Sequence, residues 1–89
     1  MNISNNQFSK TSLNKFFETF SNENNHIQIL IMEWCNIKNI NVLGVSLKNN
    51  TYLQVLKLHR NNIQNIDSLG NLFENNRIME LDLSNNKIN

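Results

Sequence analysis

The chain of 89 residues is poor in charge, glycine and cysteine, and each shortage removes a class of function. Charged residues make up 17% of it, against about 25% in an average globular chain. Eight Lys and Arg against seven Asp and Glu leave a formal net charge of +1. That balance gives no whole-chain basic footprint for nucleic acid or an anionic membrane. Two glycines cannot build a phosphate-cradling loop. The single cysteine, Cys35, excludes an intrachain disulfide, so a reduced compartment, cytoplasmic or nuclear, is expected. Cys35 has no spacing partner for a zinc site, and His26 and His59 lie 33 residues apart, so neither metal nor cofactor is expected. No apolar run approaches the roughly 18 residues of a membrane span, and residues 1–10 contain no apolar stretch of the secretory-signal kind.

What replaces charge is amide. The chain has 21 asparagines, more than its eight basic and seven acidic residues combined. The two sequons, at Asn2 and Asn49, are about as many as this composition produces by chance. The length suffices for one small domain with a limited core.

Self-similarity is the strongest signal. The frame L-x-x-L-x-L-x-x-N/C-x-L fits Ile27, Leu30, Met32, Cys35, Ile37; then Leu53, Leu56, Leu58, Asn61, Ile63; then Ile78, Leu81, Leu83, Asn86, Ile88. The frames start 26 and 25 residues apart, inside the spacing expected of stacked repeats. Between them an apolar quartet at i, i+3, i+4, i+7 recurs, as Leu13, Phe16, Phe17, Phe20; Ile40, Leu43, Gly44, Leu47; and Ile66, Leu69, Gly70, Phe73. That spacing is one face of a helix. Both glycines occupy the same quartet position, where a missing side chain lets helix and strand layers approach. At the start, Ile3-Ser4-Asn5-Asn6-Gln7-Phe8 superposes on Leu83-Ser84-Asn85-Asn86-Lys87-Ile88, so the chain opens inside a unit.

Each unit is thus a short strand, a loop and a helix that cannot bury its apolar face alone, so units stack and share one core. Period-2 alternation sends Leu30, Met32, Leu56, Leu58, Leu81 and Leu83 inward. The amide at the ninth frame position, Asn6, Asn61 and Asn86, must bond backbone groups of its own and adjacent units to be buried. Cys35 fills that place more weakly.

These residues resemble the leucine-rich repeat family over almost the whole chain, apart from a spacer around Ser9 to Ser12. The quartets and the run Leu47-Lys48-Asn49-Asn50-Thr51-Tyr52-Leu53 resemble ribonuclease-inhibitor-type repeats, and the Asn-x-Ile-x-x-Ile-x-x-Leu run from Asn61 to Leu69 resembles the shorter repeats of phosphatase regulatory subunits. The resemblance implies an α/β leucine-rich-repeat solenoid with a short parallel sheet on the concave face and helices on the convex face. It implies an intracellular protein that binds other proteins, and a chain that is one segment, with a partial repeat in residues 1–12, of a longer array.

Equivalent positions in stacked strands become neighbours about 4.8 Å apart, so reading down columns reconstructs a surface. The fifth position gives Asn2, Ile31, Lys57, Asp82; the seventh Ser4, Glu33, His59, Ser84; the eighth Asn5, Trp34, Arg60, Asn85. Glu33 should therefore meet His59, Lys57 meet Asp82, and Trp34 meet Arg60. With Ile29, Ile31 and Val55 on the same face, the pattern is an apolar centre in a mixed rim, the composition of a protein interface. The candidate partner-binding residues are Ile31, Glu33, Trp34, Lys57, His59, Arg60 and Asp82. The equal alternative is that these pairs only solvate the sheet.

No catalytic constellation emerges, because Cys35 and His59 fall on buried and exposed positions that diverge. The expected function is a protein interaction module. The alternatives are a piece of a Ran-type GTPase-activating or phosphatase-regulatory repeat protein, or a truncated segment without independent function. Nucleic-acid contact through Lys57, His59 and Arg60 is disfavoured by Glu33 and Asp82. Uncapped ends favour self-association.

Overall fold

The computed structural model describes residues 1–70 and 78–88. Among these residues it is an α/β arrangement of two α-helices and a three-stranded parallel sheet, in the chain order α1 (Lys10–Glu18), β1 (Ile29–Ile31), α2 (Asn41–Leu47), β2 (Val55–Lys57) and β3 (Glu80–Asp82). Short 3₁₀ turns follow α1 at Thr19–Ser21 and precede β3 at Asp67–Leu69. The register repeats with the sequence frame: Leu30 pairs with Leu56 and Leu56 with Leu81. The opening residues add a partial rung beside β1. The Ile31 amide donates to Met1 O and the Ile3 amide to Ile31 O, both at 2.9 Å.

Local chemistry sets where the helices begin. Ser9 accepts the Ser12 amide at 3.1 Å and caps α1, so the spacer between repeat fragments is a helix start. Neither Ile40 nor Ile66 has a capping oxygen. Instead Asn39 Oδ1 accepts from the Asn41 amide and Asn65 Oδ1 from the Asp67 amide, each at 2.8 Å, so one turn device serves both units. Asn50 closes α2's unit by accepting the Tyr52 and Leu53 amides at 2.9 Å each and donating to Phe20 O at 3.0 Å.

The core lies between the helices and one face of the sheet. Leu30, Met32, Leu56 and Leu58 are fully buried, with Phe17 and Phe20 from the first quartet and Ile40, Leu43 and Leu47 from the second. Each such side chain contributes about 1.5–3 kcal/mol. Phe16 is half-buried and meets Phe20 edge-on at 5.6 Å, so the aromatic trio belongs to the core. Burial weakens at the third unit, where Ile78, Leu81 and Leu83 are only partly covered and Ile88 is exposed.

Two expectations need correction. Gly44 does not bring a helix onto a strand: a Cβ there would lie 2.4–2.6 Å from the Oγ, Cβ and O of Ser68, so the glycine lets α2 touch the 3₁₀ turn of the next unit. Gly70 is exposed, and among the described residues a Cβ would meet Asp67 O at 3.2 Å. The third quartet forms a 3₁₀ turn through Leu69, and its last member, Phe73, lies outside the described residues. No helix among the described residues is long and apolar enough to cross a membrane.

Candidate functional site

The sheet face opposite the core carries the predicted columns. Ile29 is exposed, while Ile31, Val55 and Lys57 are half-buried. Ile29 pairs with Val55 and Ile31 with Lys57, so the apolar centre is continuous across β1 and β2.

The charges are arranged around His59. Its Nδ1 lies 3.1 Å from Glu33 Oε1 and 3.5 Å from Asp82 Oδ2, so one imidazole stands between carboxylates of both neighbouring units. The distances and the directions disagree: that buried Nδ1 makes a hydrogen bond to neither oxygen. Proximity without alignment makes no directional bond, and it gives charge attraction when the ring is protonated. Lys57 does not bond Asp82 as the column reading expects. Its Nζ is 3.6 Å from Glu80 Oε1, because Asp82 Oδ1 is taken by Ser84, whose hydroxyl donates at 2.7 Å and whose amide donates at 3.0 Å. Those two bonds, the hydroxyl first, hold the Asp82 carboxyl below its usual range, helped by weaker attraction to His59 and Lys57 and opposed by slight desolvation.

At the loop edge of the same sheet, the Arg60 guanidinium carbon lies 5.1 Å from the Trp34 ring centroid, and Trp34 is 55% exposed. Both are held at positive φ, 58° for Trp34 and 59° for Arg60. The flanking eighth positions, Asn5 and Asn85, adopt the same left-handed backbone with φ of 61° and 56°. Asparagine tolerates this conformation, whereas bulky side chains do not. The fold therefore asks for a left-handed residue in every unit, and the two central units fill it with residues that resist it.

The ninth position lies one residue further on. Asn61 is buried; its Oδ1 accepts the Cys35 amide at 2.9 Å and the Ile37 amide at 3.1 Å, and its Nδ2 donates to Met32 O at 2.8 Å and Leu58 O at 2.9 Å. Asn86 repeats the clamp on Leu58 O and the Ile63 amide, each at 3.0 Å. Asn6 is exposed, against expectation, and bonds only backbone oxygens of its own loop, Ile3 O and Ser4 O. Cys35 makes the donor half of the clamp, with Sγ 3.5 Å from Ile3 O and from Glu33 O. Its buried thiol has no reactive setting. His26 is exposed, and it stacks on Tyr52 with ring centroids 4.1 Å apart. Among the described residues no group of His, Cys, Asp and Glu is placed to hold a metal.

Two features were not anticipated from the columns. One is the left-handed backbone under Trp34 and Arg60, which the asparagines at the same position of the outer units signal. The other is a hollow of ≈ 510 Å³ beside that pair, lined also by Gln7, Asn36, Asn62 and Asn85. Comparisons with protein-family models, curated proteins and solved structures returned no match to this chain.

Proposed function

We propose that the chain is a leucine-rich-repeat segment of solenoid type that works as an intracellular protein-interaction module, and not as an enzyme, engaging its partner through the open sheet face and the Trp34–Arg60 edge. One observation carries this reading. Trp34 and Arg60 occupy left-handed positions that Asn5 and Asn85 fill at lower cost, so their side chains are not there for the backbone. Exposed and in mutual contact, they have the composition of an interface anchor. Ile29, Ile31 and Val55 supply an apolar centre, and Glu33, Lys57, His59 and Asp82 a charged rim that sets orientation and rejects wrong partners.

The test is differential capture by the full chain. Wild type and Val45→Asp, changed at an exposed site on α2, should retain the same bound protein. Trp34→Asn and Lys57→Ala/His59→Ala should lose it with unchanged far-UV circular dichroism. Capture indifferent to all sheet-face and edge changes would contradict the reading.

A further inference from the structure

The hollow beside Trp34 and Arg60 does not stand alone. It shares Asn36 and Asn62 with a second, of ≈ 420 Å³, that reaches Lys38 and Lys87. Asn36 and Lys38 also border a third, of ≈ 350 Å³, that reaches Lys10. The three form one trough along the loop edge, carrying Arg60, Lys38, Lys87 and Lys10, and among the described residues no carboxylate lines it. The chain has nearly equal numbers of the two signs, eight against seven, so this is local segregation. Among the described residues none of these four cations takes part in an ion pair; Glu33, Glu80 and Asp82 are engaged with His59 and Lys57 on the sheet face. A trough of this kind attracts an anionic occupant.

The remaining lining tells which kind. Asn36, Asn62, Asn85 and Gln7 each present a donor and an acceptor, which match the paired N–H and C=O groups of an extended peptide. A phosphodiester backbone only accepts, and single-stranded nucleic acid needs successive exposed stacking platforms, where the two rings of this trough, exposed Trp34 and half-buried Phe8, line different hollows. Asn36 is itself at φ 53° and receives the Asn62 side-chain amide, so the amide floor is fixed before anything binds. We propose that this trough takes an extended acidic peptide segment of a partner protein, with one apolar side chain covering Trp34 and carboxylates on Arg60, Lys38 and Lys87. The inference rests on the interaction-module reading and extends its Trp34–Arg60 edge into a trough with its own chemistry.

The probe is a fluorescein-labelled octapeptide, Glu-Asp-Leu-Glu-Phe-Asp-Glu-Leu, titrated against the full chain by anisotropy. Its unlabelled form is followed by emission of Trp34, the chain's sole tryptophan. An otherwise identical peptide with Gln and Asn for every Glu and Asp, and a labelled dT octamer, are the comparisons. The acidic peptide should blue-shift Trp34 emission and bind about tenfold more tightly than its amide counterpart. Lys38→Gln/Lys87→Gln should weaken it about fivefold, Lys38→Arg/Lys87→Arg should restore it, and Lys15→Gln, outside the trough, should change nothing. Equal affinity for the two peptides, indifference to Lys38 and Lys87, or tighter binding of the dT octamer overturns the proposal. The sheet-face reading fails on a different result: partner capture that survives Lys57→Ala/His59→Ala, which leaves the peptide titration as it was.

Discussion

The eighth and ninth frame positions lie side by side in the same loops, yet Asn61 is buried and bonded on every side while Trp34 and Arg60 are exposed and sit on unfavourable backbone. The clamp answers a demand of the fold, since it closes donors and acceptors of two adjacent units that would otherwise be buried unpaired. The Trp34–Arg60 pair answers no such demand, because Asn5 and Asn85 meet the backbone requirement without it. Neighbouring columns of one repeat can therefore be separated into residues that build the molecule and residues carried at its expense, by asking what each side chain satisfies.

The largest effect should separate two adjacent asparagines. Asn61→Leu strips these bonds from the Cys35 and Ile37 amides and the Met32 carbonyl at about 1–3 kcal/mol each where no water enters, while Leu58 O keeps its bond from Asn86. A loss of about 3 kcal/mol or more is expected. Asn62→Leu removes only a half-buried amide contact with Asn36 and should cost under ~1 kcal/mol. Equal urea midpoints for the two would break the distinction between clamp and surface.

The two glycines sharpen the same point one step down in size. Gly44→Ala drives a methyl group into Ser68, backbone oxygen included, and should destabilise by about 1–3 kcal/mol. Gly70→Ala brings its methyl group 3.2 Å from the Asp67 backbone oxygen, slightly closer than ordinary contact, on an exposed turn, and should cost less than Gly44→Ala, under about 1 kcal/mol. A repeated glycine with equal thermal effects at both places would mean that the close approach of α2 to the following turn is not what Gly44 is for.

The smallest effect is acidic. The carboxyl of Asp82 titrates below its usual range, so its contribution is present above the unfolded-chain value and is lost as pH falls through the lower folded value. The group is over a third exposed, which screens the interaction and keeps the effect small. Ser84→Ala removes the leading cause and should flatten the acid limb of a stability profile run from about pH 6 to about pH 2. An unchanged limb would show that the Ser84 bonds do not hold the charge.

Much of this was legible in the chain itself, for a definite reason. A spacing of 25 or 26 residues with period-2 alternation leaves one register that buries Leu30, Leu56 and Leu81 together, and that register places Glu33 by His59 and Trp34 by Arg60. What columns cannot convey is competition within a strand: Asp82 bonds Ser84, two residues on, so Lys57 turns to Glu80. Nor do they convey contact between units on the helix side, where Gly44 meets Ser68 and not the sheet that its quartet position predicts. The trough escaped because Lys38, Lys87 and Arg60 hold different frame positions and meet only once the loops are folded.

The most direct test of the cost of Trp34 and Arg60 is the denaturant midpoint of the double variant Trp34→Asn/Arg60→Asn. Relief of two left-handed positions at about 1 kcal/mol each outweighs one exposed cation–π contact of about 0.5–1 kcal/mol. The midpoint should rise, by the equivalent of about 1 kcal/mol. A lower midpoint would contradict the account, since it would show that the pair stabilises the fold and is not maintained for what it binds.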